Sequence, residues 1–255
     1  MQTDRPNGSL YTNISNQIAT LEFGHPASNS FVSELLQRLT NEINQLSSND
    51  EVSIIILKSE GDRAFCAGAS FDELVAISNM NEGKAFFSGF AKVINAMRSC
   101  DKPVIGRVQG KAVGGGVGLA AACDYVFATE GASIKLSEIS IGIAPLVIAP
   151  AVERKIGKDG LAELALSPTE WKNAYWAKEK GLFSKVFDSI KGLDKELEDF
   201  SLKLASYNTE ALTAMKRVLW EGTENWDSLL LDRAEQSGRL ALSEATKAAL
   251  AKFKK

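Results

Sequence analysis

Three consecutive glycines, Gly114, Gly115 and Gly116, lie between an apolar run at 104–108 and a helix-forming segment at 115–122. Because glycine has no Cβ, the backbone there can take unusual dihedral angles and approach a ligand closely. A turn that leads into a helix also directs free N–H groups and the positive end of the helix dipole outward. The glycines therefore predict a site for an anion or a developing oxyanion.

Strand-like and helix-like segments alternate on both sides of this turn, which predicts an α/β fold. The apolar run at 52–57 is typical of a strand covered on both faces, and 31–46 has the periodicity of an amphipathic helix. The predicted order is strands at 10–15 and 17–23, a helix at 31–46, a strand at 52–57, a helix at 84–100, a strand at 104–108, a helix at 115–122 and a strand at 124–128.

After residue 150 the sequence predicts helices, with one further strand at 185–188. The helices are expected at 151–156, 158–166, 170–180, 193–206, 210–221, 227–241 and 244–252. We therefore expect an α/β core at 1–195 and a helical region at 196–255 that is not an independent domain. This helical region could complete the same core or pack on another subunit.

The composition argues against several classes of protein. A net charge of −3 provides no basic face for nucleic acid, and no apolar run approaches a membrane span. The three cysteines, Cys66, Cys100 and Cys123, are an odd number without metal-ligand spacing, so we expect reduced core thiols in a cytoplasmic protein and no bound metal. The single histidine, His25, precedes a proline and no nucleophile elbow accompanies it, which argues against a catalytic triad.

The glycine turn has alternative interpretations. It lacks the Gly-Lys-Ser/Thr ending of a phosphate-binding loop. A loose dinucleotide fingerprint fits Gly116, Gly118 and Ala121, with Glu138 at the distance of a ribose ligand, but such a fingerprint should follow its strand directly, and Val108 lies eight residues before Gly116. A purely structural turn is the third interpretation.

A second small-residue turn, Ala-Phe-Cys-Ala-Gly-Ala-Ser-Phe at 64–71, also follows an apolar strand. If the two turns come from neighbouring strands, each could donate one N–H to a thioester oxygen, which would make an oxyanion hole. Glu138 lies among apolar residues, and burial would raise its pKa and make it a proton carrier near neutrality. The alternative is a glutamate on an exposed edge.

Three segments together resemble the enoyl-CoA hydratase/isomerase family, also called crotonases. They are AFCAGASF at 64–71, KAVGGGVGLAAACD at 111–124 and KLSEISIGIAP at 135–145, in the order and spacing of that family. The resemblance implies stacked ββα units, a helical C-terminal region used in trimerisation, and a homotrimer or a hexamer built from two trimers. It also implies an acyl-CoA thioester as substrate, with no cofactor other than the coenzyme A of that substrate.

The resemblance further implies roles for individual residues. The N–H groups of Ala69 and Gly115 would form the oxyanion hole, and Glu138 would be the general acid and base. The residues expected to bind substrate are Ala67, Ser70, Phe71, Gly114, Gly118 and Pro145.

One departure from the family pattern bears on the reaction. Members with two carboxylates carry a first glutamate at the position of Gly118, and a glycine there should free space for a branched acyl group. The segment 136–157 is similar to a bacterial subgroup of methylglutaconyl-CoA hydratases, so the leading hypothesis is a hydratase or lyase acting on a branched or carboxylated acyl group such as 3-methylglutaconyl-CoA. The alternatives are a Δ3,Δ2-enoyl-CoA isomerase with Glu138 as sole proton shuttle, and an idle acyl-CoA-binding subunit.

Overall fold

The computed structural model describes residues 5–252, and its main feature is a six-stranded sheet. In chain order its strands are β1 Ser9–Ser15, β2 Ile18–Gly24, β3 Ile54–Ser59, β5 Val104–Val108, β7 Tyr125–Thr129 and β10 Lys185–Phe187. β1 and β2 form an antiparallel hairpin, and the other neighbours in the order β2-β3-β5-β7-β10 are parallel. The hairpin and the buried strands confirm the strand predictions in this region.

A second, four-stranded sheet was missed by the sequence prediction. Its strands are β4 Ala64–Cys66, β6 Lys111–Val113, β8 Ser133–Lys135 and β9 Lys172–Asn173. β4, β6 and β8 are parallel neighbours, and β9 is antiparallel to β8. The glycine turn therefore follows β6, a short strand that the sequence prediction did not place between the strand at 104–108 and the turn.

The two sheets are linked by a repeated ββα unit. In each unit a strand of the large sheet is followed by a strand of the small sheet and then by a helical segment, in the pairs β3–β4, β5–β6 and β7–β8. The helical segments are α2 Phe71–Ala76 and α3 Met80–Ser99, α4 Gly115–Ala122, and a 3-10 helix Glu138–Ile141 followed by α5 Ala149–Leu166. This arrangement confirms the expected stacked ββα architecture.

The remaining helices are α1 Ser33–Ser47, α6 Ala174–Glu179, α7 Ile190–Ala205, α8 Thr209–Leu219, α9 Trp226–Ala241 and α10 Glu244–Ala251. The helix expected at 170–180 is shorter than predicted, because its first residues belong to β9. The boundary expected after residue 195 falls inside α7, whose Leu193 and Leu197 pack on the large sheet. No helix within residues 5–252 is long and apolar enough to cross a membrane.

The last two helices complete the core of the same chain. α9 crosses α3 where Gly83 meets Gly238, so closely that a Cβ on Gly83 would lie 2.9 Å from the Cα of Gly238. In α10 the Thr246 hydroxyl donates to the Gly142 carbonyl over 2.9 Å. These contacts show that the helical region completes the core of its own chain. A role in trimerisation stays a prediction.

A buried ion pair anchors α8 to Asp124, which lies between α4 and β7. The Asp124 carboxylate accepts from Lys216 Nζ at 2.6 Å, from Trp220 Nε1 at 2.7 Å and from the Val104 N–H at 2.7 Å. Lys216 and Asp124 are both almost completely buried. A buried charge pair is tolerated when further hydrogen bonds satisfy it, as they do here.

The three cysteines are buried free thiols, as predicted. Burial raises the pKa of Cys66 and of Cys123 to about 12. Both thiols are therefore protonated at neutral pH, which makes them poor nucleophiles.

Candidate active site

The predicted functional segments meet at one edge of the small sheet. The turn at 67–70 follows β4, the glycine turn follows β6, and Glu138 comes shortly after β8. Because these three strands are parallel, their carboxyl ends lie at the same edge. The small sheet thus brings together segments that lie far apart in the sequence.

A cavity of about 210 Å³ opens at this edge. Most of its wall is apolar, and Glu138 is the one acidic or basic side chain that lines it among residues 5–252. The apolar wall includes Phe86, Phe87 and Phe90 of α3, and Ile143, Val147 and Ile148 of the segment that leads into α5. A wall with few polar groups is typical of a small-molecule site.

Ala69 directs its N–H away from the neighbouring backbone. The Gly68 carbonyl accepts from the Phe31 N–H at 2.8 Å, and the Ser70 N–H donates to the Phe31 carbonyl at 2.7 Å. In a planar trans peptide the C=O and the following N–H point in opposite directions. The Ala69 N–H therefore points away from Phe31.

The Gly115 N–H is directed outward by the same geometry. The Gly114 carbonyl accepts from the N–H groups of Val117 at 2.9 Å and Gly118 at 3.1 Å, so it points into α4. The Gly115 N–H, in the same peptide unit, must point out of the start of the helix. Gly114 has φ +52°, a backbone conformation that favours glycine.

The two turns are in direct proximity. A Cβ placed on Gly68 would lie 3.1 Å from the Val113 carbonyl oxygen and 3.7 Å from the Gly115 nitrogen. A Cβ on Gly115 would overlap the ring of Phe90. Glycine at 68 therefore allows the two turns to approach each other backbone to backbone. Glycine at 115 allows the ring of Phe90 to pack against the turn.

Glu138 lies beside the glycine turn with its carboxyl group mostly out of water. A Cβ on Gly114 would be 2.6 Å from Glu138 Oε1. The second oxygen, Oε2, is buried and has no hydrogen-bond partner within residues 5–252. Burial raises the pKa of the Glu138 carboxyl to about 7, against a smaller opposing effect of the backbone N–H of the same residue. The carboxyl group can therefore hold or release a proton near neutral pH.

The turn that carries Glu138 is held from its far side by α10. The 3-10 helix ends at Gly142, which has φ +82°. The Thr246 hydroxyl donates to the Gly142 carbonyl, and Thr246 is completely buried. The C-terminal helix thereby fixes the segment that positions the carboxylate.

Most of the predicted substrate-binding residues line the cavity, and two do not. Ala67, Phe71, Gly114 and Pro145 are in its wall together with Ala69 and Gly115. Ser70 instead caps α2, since its hydroxyl accepts from the Glu73 N–H at 3.3 Å. Gly118 is covered, because a Cβ there would overlap the side chain of Ile148. The expectation that Gly118 leaves free space is wrong, because Ile148 fills that space.

Several wall residues were not identified from the sequence. Phe90 and Ile148 are apolar residues in apolar segments, and nothing in their local pattern distinguishes them from ordinary core. Ser237 did offer a signal: it is a polar residue in the buried stripe of α9, which also contains Leu230, Ala234 and Ala241. A polar side chain in such a stripe requires an explanation.

Residues 13–238 match the model of a family described as enoyl-CoA hydratase/isomerase. The chain belongs to this family and is an enzyme of the hydratase/isomerase class. It is 30% identical over 194 residues to the peroxisomal Delta(3,5)-Delta(2,4)-dienoyl-CoA isomerase of Arabidopsis thaliana, covering 71% of this chain and 69% of the relative.

Similarity extends to hydratases as well as isomerases. The chain is 36% identical over 117 residues to the mitochondrial methylglutaconyl-CoA hydratase of Homo sapiens, with 46% of this chain and 34% of the relative covered. An enoyl-CoA hydratase structure from Bacillus halodurans superposes with a TM-score of 0.87 at 20% identity, over 95% of this chain and 99% of that one. This structural likeness supports the fold and does not decide between the two reactions.

Proposed function

We propose that the enzyme moves a proton between two carbon atoms of an enoyl-CoA thioester and so shifts the double bond from position Δ3 to position Δ2. The observation that supports this proposal is a lone carboxylate, buried and unpartnered at Oε2, beside two outward-facing N–H groups in a mostly apolar cavity. In the proposed complex, the N–H groups of Ala69 and Gly115 bind the thioester oxygen, and Glu138 carries the proton.

The proposed reaction has two balanced steps. In the first, the Glu138 carboxylate takes a proton from the α-carbon, and the C–H electron pair moves into the conjugated system and places negative charge on the thioester oxygen. In the second, the charge returns, a new C–H bond forms at the γ-carbon, and Glu138 gives back the same proton. Each N–H donor aimed at such an oxyanion contributes about 3–4 kcal/mol to lowering the barrier.

The electrostatic environment of Glu138 suits this double role. A group that first accepts and then donates a proton works best when its pKa is close to the operating pH. Burial raises the pKa of Glu138 to about 7, so both protonation states are accessible near neutrality. A carboxylate in water, with its lower pKa, would be a weaker base for the first step.

Hydration is the second candidate, favoured by the hydratase among the relatives. It requires Glu138 to hold a water molecule with few other polar side chains: in the described part of the cavity wall these are Ser137 and Ser237. Ile148 covers Gly118, so the position of a first glutamate is closed in this chain. The choice of 3-methylglutaconyl-CoA as substrate stays a prediction.

A mass-shift assay in heavy-oxygen water, read together with the ultraviolet absorbance of the conjugated 2-enoyl thioester, distinguishes the two candidates. The substrates are a 3-enoyl-CoA, crotonyl-CoA and 3-methylglutaconyl-CoA, each incubated with the enzyme and with Glu138→Gln. Double-bond migration without oxygen gain, lost in the variant, supports isomerisation. Oxygen gain on crotonyl-CoA or 3-methylglutaconyl-CoA would contradict isomerisation and support hydration. Binding without any reaction would indicate the idle acyl-CoA-binding subunit.

We also propose a homotrimer or a dimer of trimers. Exposed apolar side chains on α8 support an interface, with Met215, Val218 and Leu219 between 44% and 52% exposed. Sedimentation-equilibrium mass determination tests this, and a monomeric mass at micromolar concentration would contradict it. A cytoplasmic location and the absence of any cofactor besides coenzyme A remain predictions.

A further inference from the structure

Ser237 is a buried hydroxyl in the wall of the cavity that the proposed reaction does not use. It is 1% exposed, and its Oγ has no hydrogen-bond partner within residues 5–252. Two other buried helical hydroxyls bond within their own helix: Ser88 donates to the Lys84 carbonyl at 2.6 Å and Thr40 to the Leu36 carbonyl at 2.8 Å, whereas the hydroxyl of Ser201 in α7 shares the unpartnered state of Ser237. Ser237 lacks this bond, so a bound ligand can supply the missing partner.

The helix α3 shows how far Ser237 lies from the reacting thioester. Phe90 of α3 packs where a Cβ on Gly115 would be, at the proposed oxyanion hole. Gly83, two turns earlier, contacts Gly238, the residue after Ser237. With a rise of 1.5 Å per residue, these two points on α3 are about 10 Å apart along its axis. Ser237 therefore lines a part of the cavity remote from the proposed oxyanion hole, and in the proposed complex we place the far end of the acyl chain there.

A cation lies one helical turn from this hydroxyl. Arg233 is half-buried on the same side of α9, because residues four apart are neighbours on a helix surface. One of its nitrogens donates to the carbonyl of Leu146, a residue of the cavity wall, at 3.2 Å. In the structure of residues 5–252 Arg233 makes no ion pair; it is not part of the cavity wall itself and reaches the wall through the carbonyl of Leu146.

We propose that Ser237 and Arg233 select acyl chains whose far end carries a carboxylate. The Ser237 hydroxyl would donate to one carboxylate oxygen, and the Arg233 guanidinium would balance the charge. An acyl chain with an alkyl end would leave the buried Ser237 hydroxyl without a hydrogen-bond partner. Such a chain should therefore bind more weakly than one whose end carries oxygen atoms. This inference rests on the proposed acyl-CoA function, because it places the thioester at Ala69 and Gly115.

Saturated ligands test the selection without any turnover. Calorimetric dissociation constants would be measured for adipyl-CoA and suberyl-CoA, with hexanoyl-CoA and octanoyl-CoA as partners of equal length. We expect the enzyme to prefer the carboxylated ligand of at least one pair. Ser237→Ala should reduce that preference about tenfold, the effect of one hydrogen bond to a charged group. Ser237→Thr, which keeps the hydroxyl, should retain most of it.

The contribution of Arg233 is separated by a neutral ligand. ω-Hydroxyhexanoyl-CoA should depend on Ser237 and be insensitive to Arg233→Gln, whereas adipyl-CoA should bind more weakly to both variants. If the hydroxylated ligand binds as tightly as adipyl-CoA to the unmodified enzyme, the carboxylate preference is overturned. Because each comparison is a ratio within one variant, a partly unfolded sample cannot produce the expected result.

Ser201 provides a matched control. It is a buried helical serine of α7 with an unpartnered Oγ, and it lines a different cavity, beside Arg107 and Asp194. Ser201→Ala should leave the carboxylate preference unchanged. The proposal is overturned if the unmodified enzyme prefers the alkyl ligands, if Ser237→Ala leaves the ratio intact, or if Ser201→Ala alters it equally. Tight binding of all four ligands without discrimination would leave the proposed function standing and refute the selection alone.

Discussion

Replacement of Glu138 by glutamine should stabilise the folded protein at alkaline pH while it removes activity. The folded carboxyl group has a pKa of about 7, raised by burial from an ordinary value of 4.5. Above pH 4.5 the unfolded chain loses this proton more readily than the folded chain does. Unfolding therefore releases a proton, and the contribution of Glu138 makes the protein less stable as the pH rises from about 4.5 to about 7.

The magnitude follows from the two pKa values. Each pH unit between them corresponds to 1.36 kcal/mol, so the ionised Glu138 carboxylate lowers the free energy of unfolding by about 3 kcal/mol at pH 8. At pH 5 Glu138 lowers the free energy of unfolding by less than about 1 kcal/mol. Glutamine is an isosteric neutral group, so Glu138→Gln should recover most of this difference.

Urea unfolding at pH 5 and pH 8, at one fixed protein concentration, measures the effect. Glu51→Gln, a substitution in the exposed turn before β3, is the control and should change the free energy of unfolding by less than about 0.5 kcal/mol at either pH. Equal effects of Glu138→Gln at both pH values would refute the argument, because they would show that the carboxylate is ionised in the folded state without penalty. A destabilised variant at pH 8 would refute it as well.

Four further outcomes test the site and its support. The rate constant kcat/KM should fall tenfold per pH unit below about pH 7, since the first step needs ionised Glu138; a flat profile down to pH 5 would contradict this assignment. Gly114→Ala should lose about 1–3 kcal/mol of stability and most of the activity, because its Cβ would lie 2.6 Å from Glu138 Oε1 and the backbone has φ +52°. The control is Gly131→Ala at an open position, which should change melting temperature and turnover little. Gly118→Glu should be destabilised by about 1–3 kcal/mol in urea unfolding through overpacking against Ile148 and should gain no hydratase activity; oxygen incorporation in that variant would show that the closed position can open. Lys216→Met should lose about 3–5 kcal/mol by leaving Asp124 buried without its cation, and unchanged urea stability would show that the pair is dispensable.

The elements predicted correctly are those whose signal lies within one segment. The amphipathic pattern of α1 and the continuous apolar run of β3 are visible in the residues that form them. The strands β4, β6 and β8 escaped prediction because each has three residues, too few for a period to appear. They exist through pairing with partners far away in the chain, such as Ala64 with Lys111.

The sequence by itself determined the presence of two glycine-containing turns and one carboxylate, since the absence of a Cβ and the chemistry of a side chain are local properties. The tertiary structure alone decided that Glu138 Oε2 is buried without a partner within residues 5–252, that Ile148 covers Gly118, and that Ser237 lines the cavity. Each of these follows from contacts between segments remote in the chain, where packing sets the distance and the exclusion of water sets the pKa.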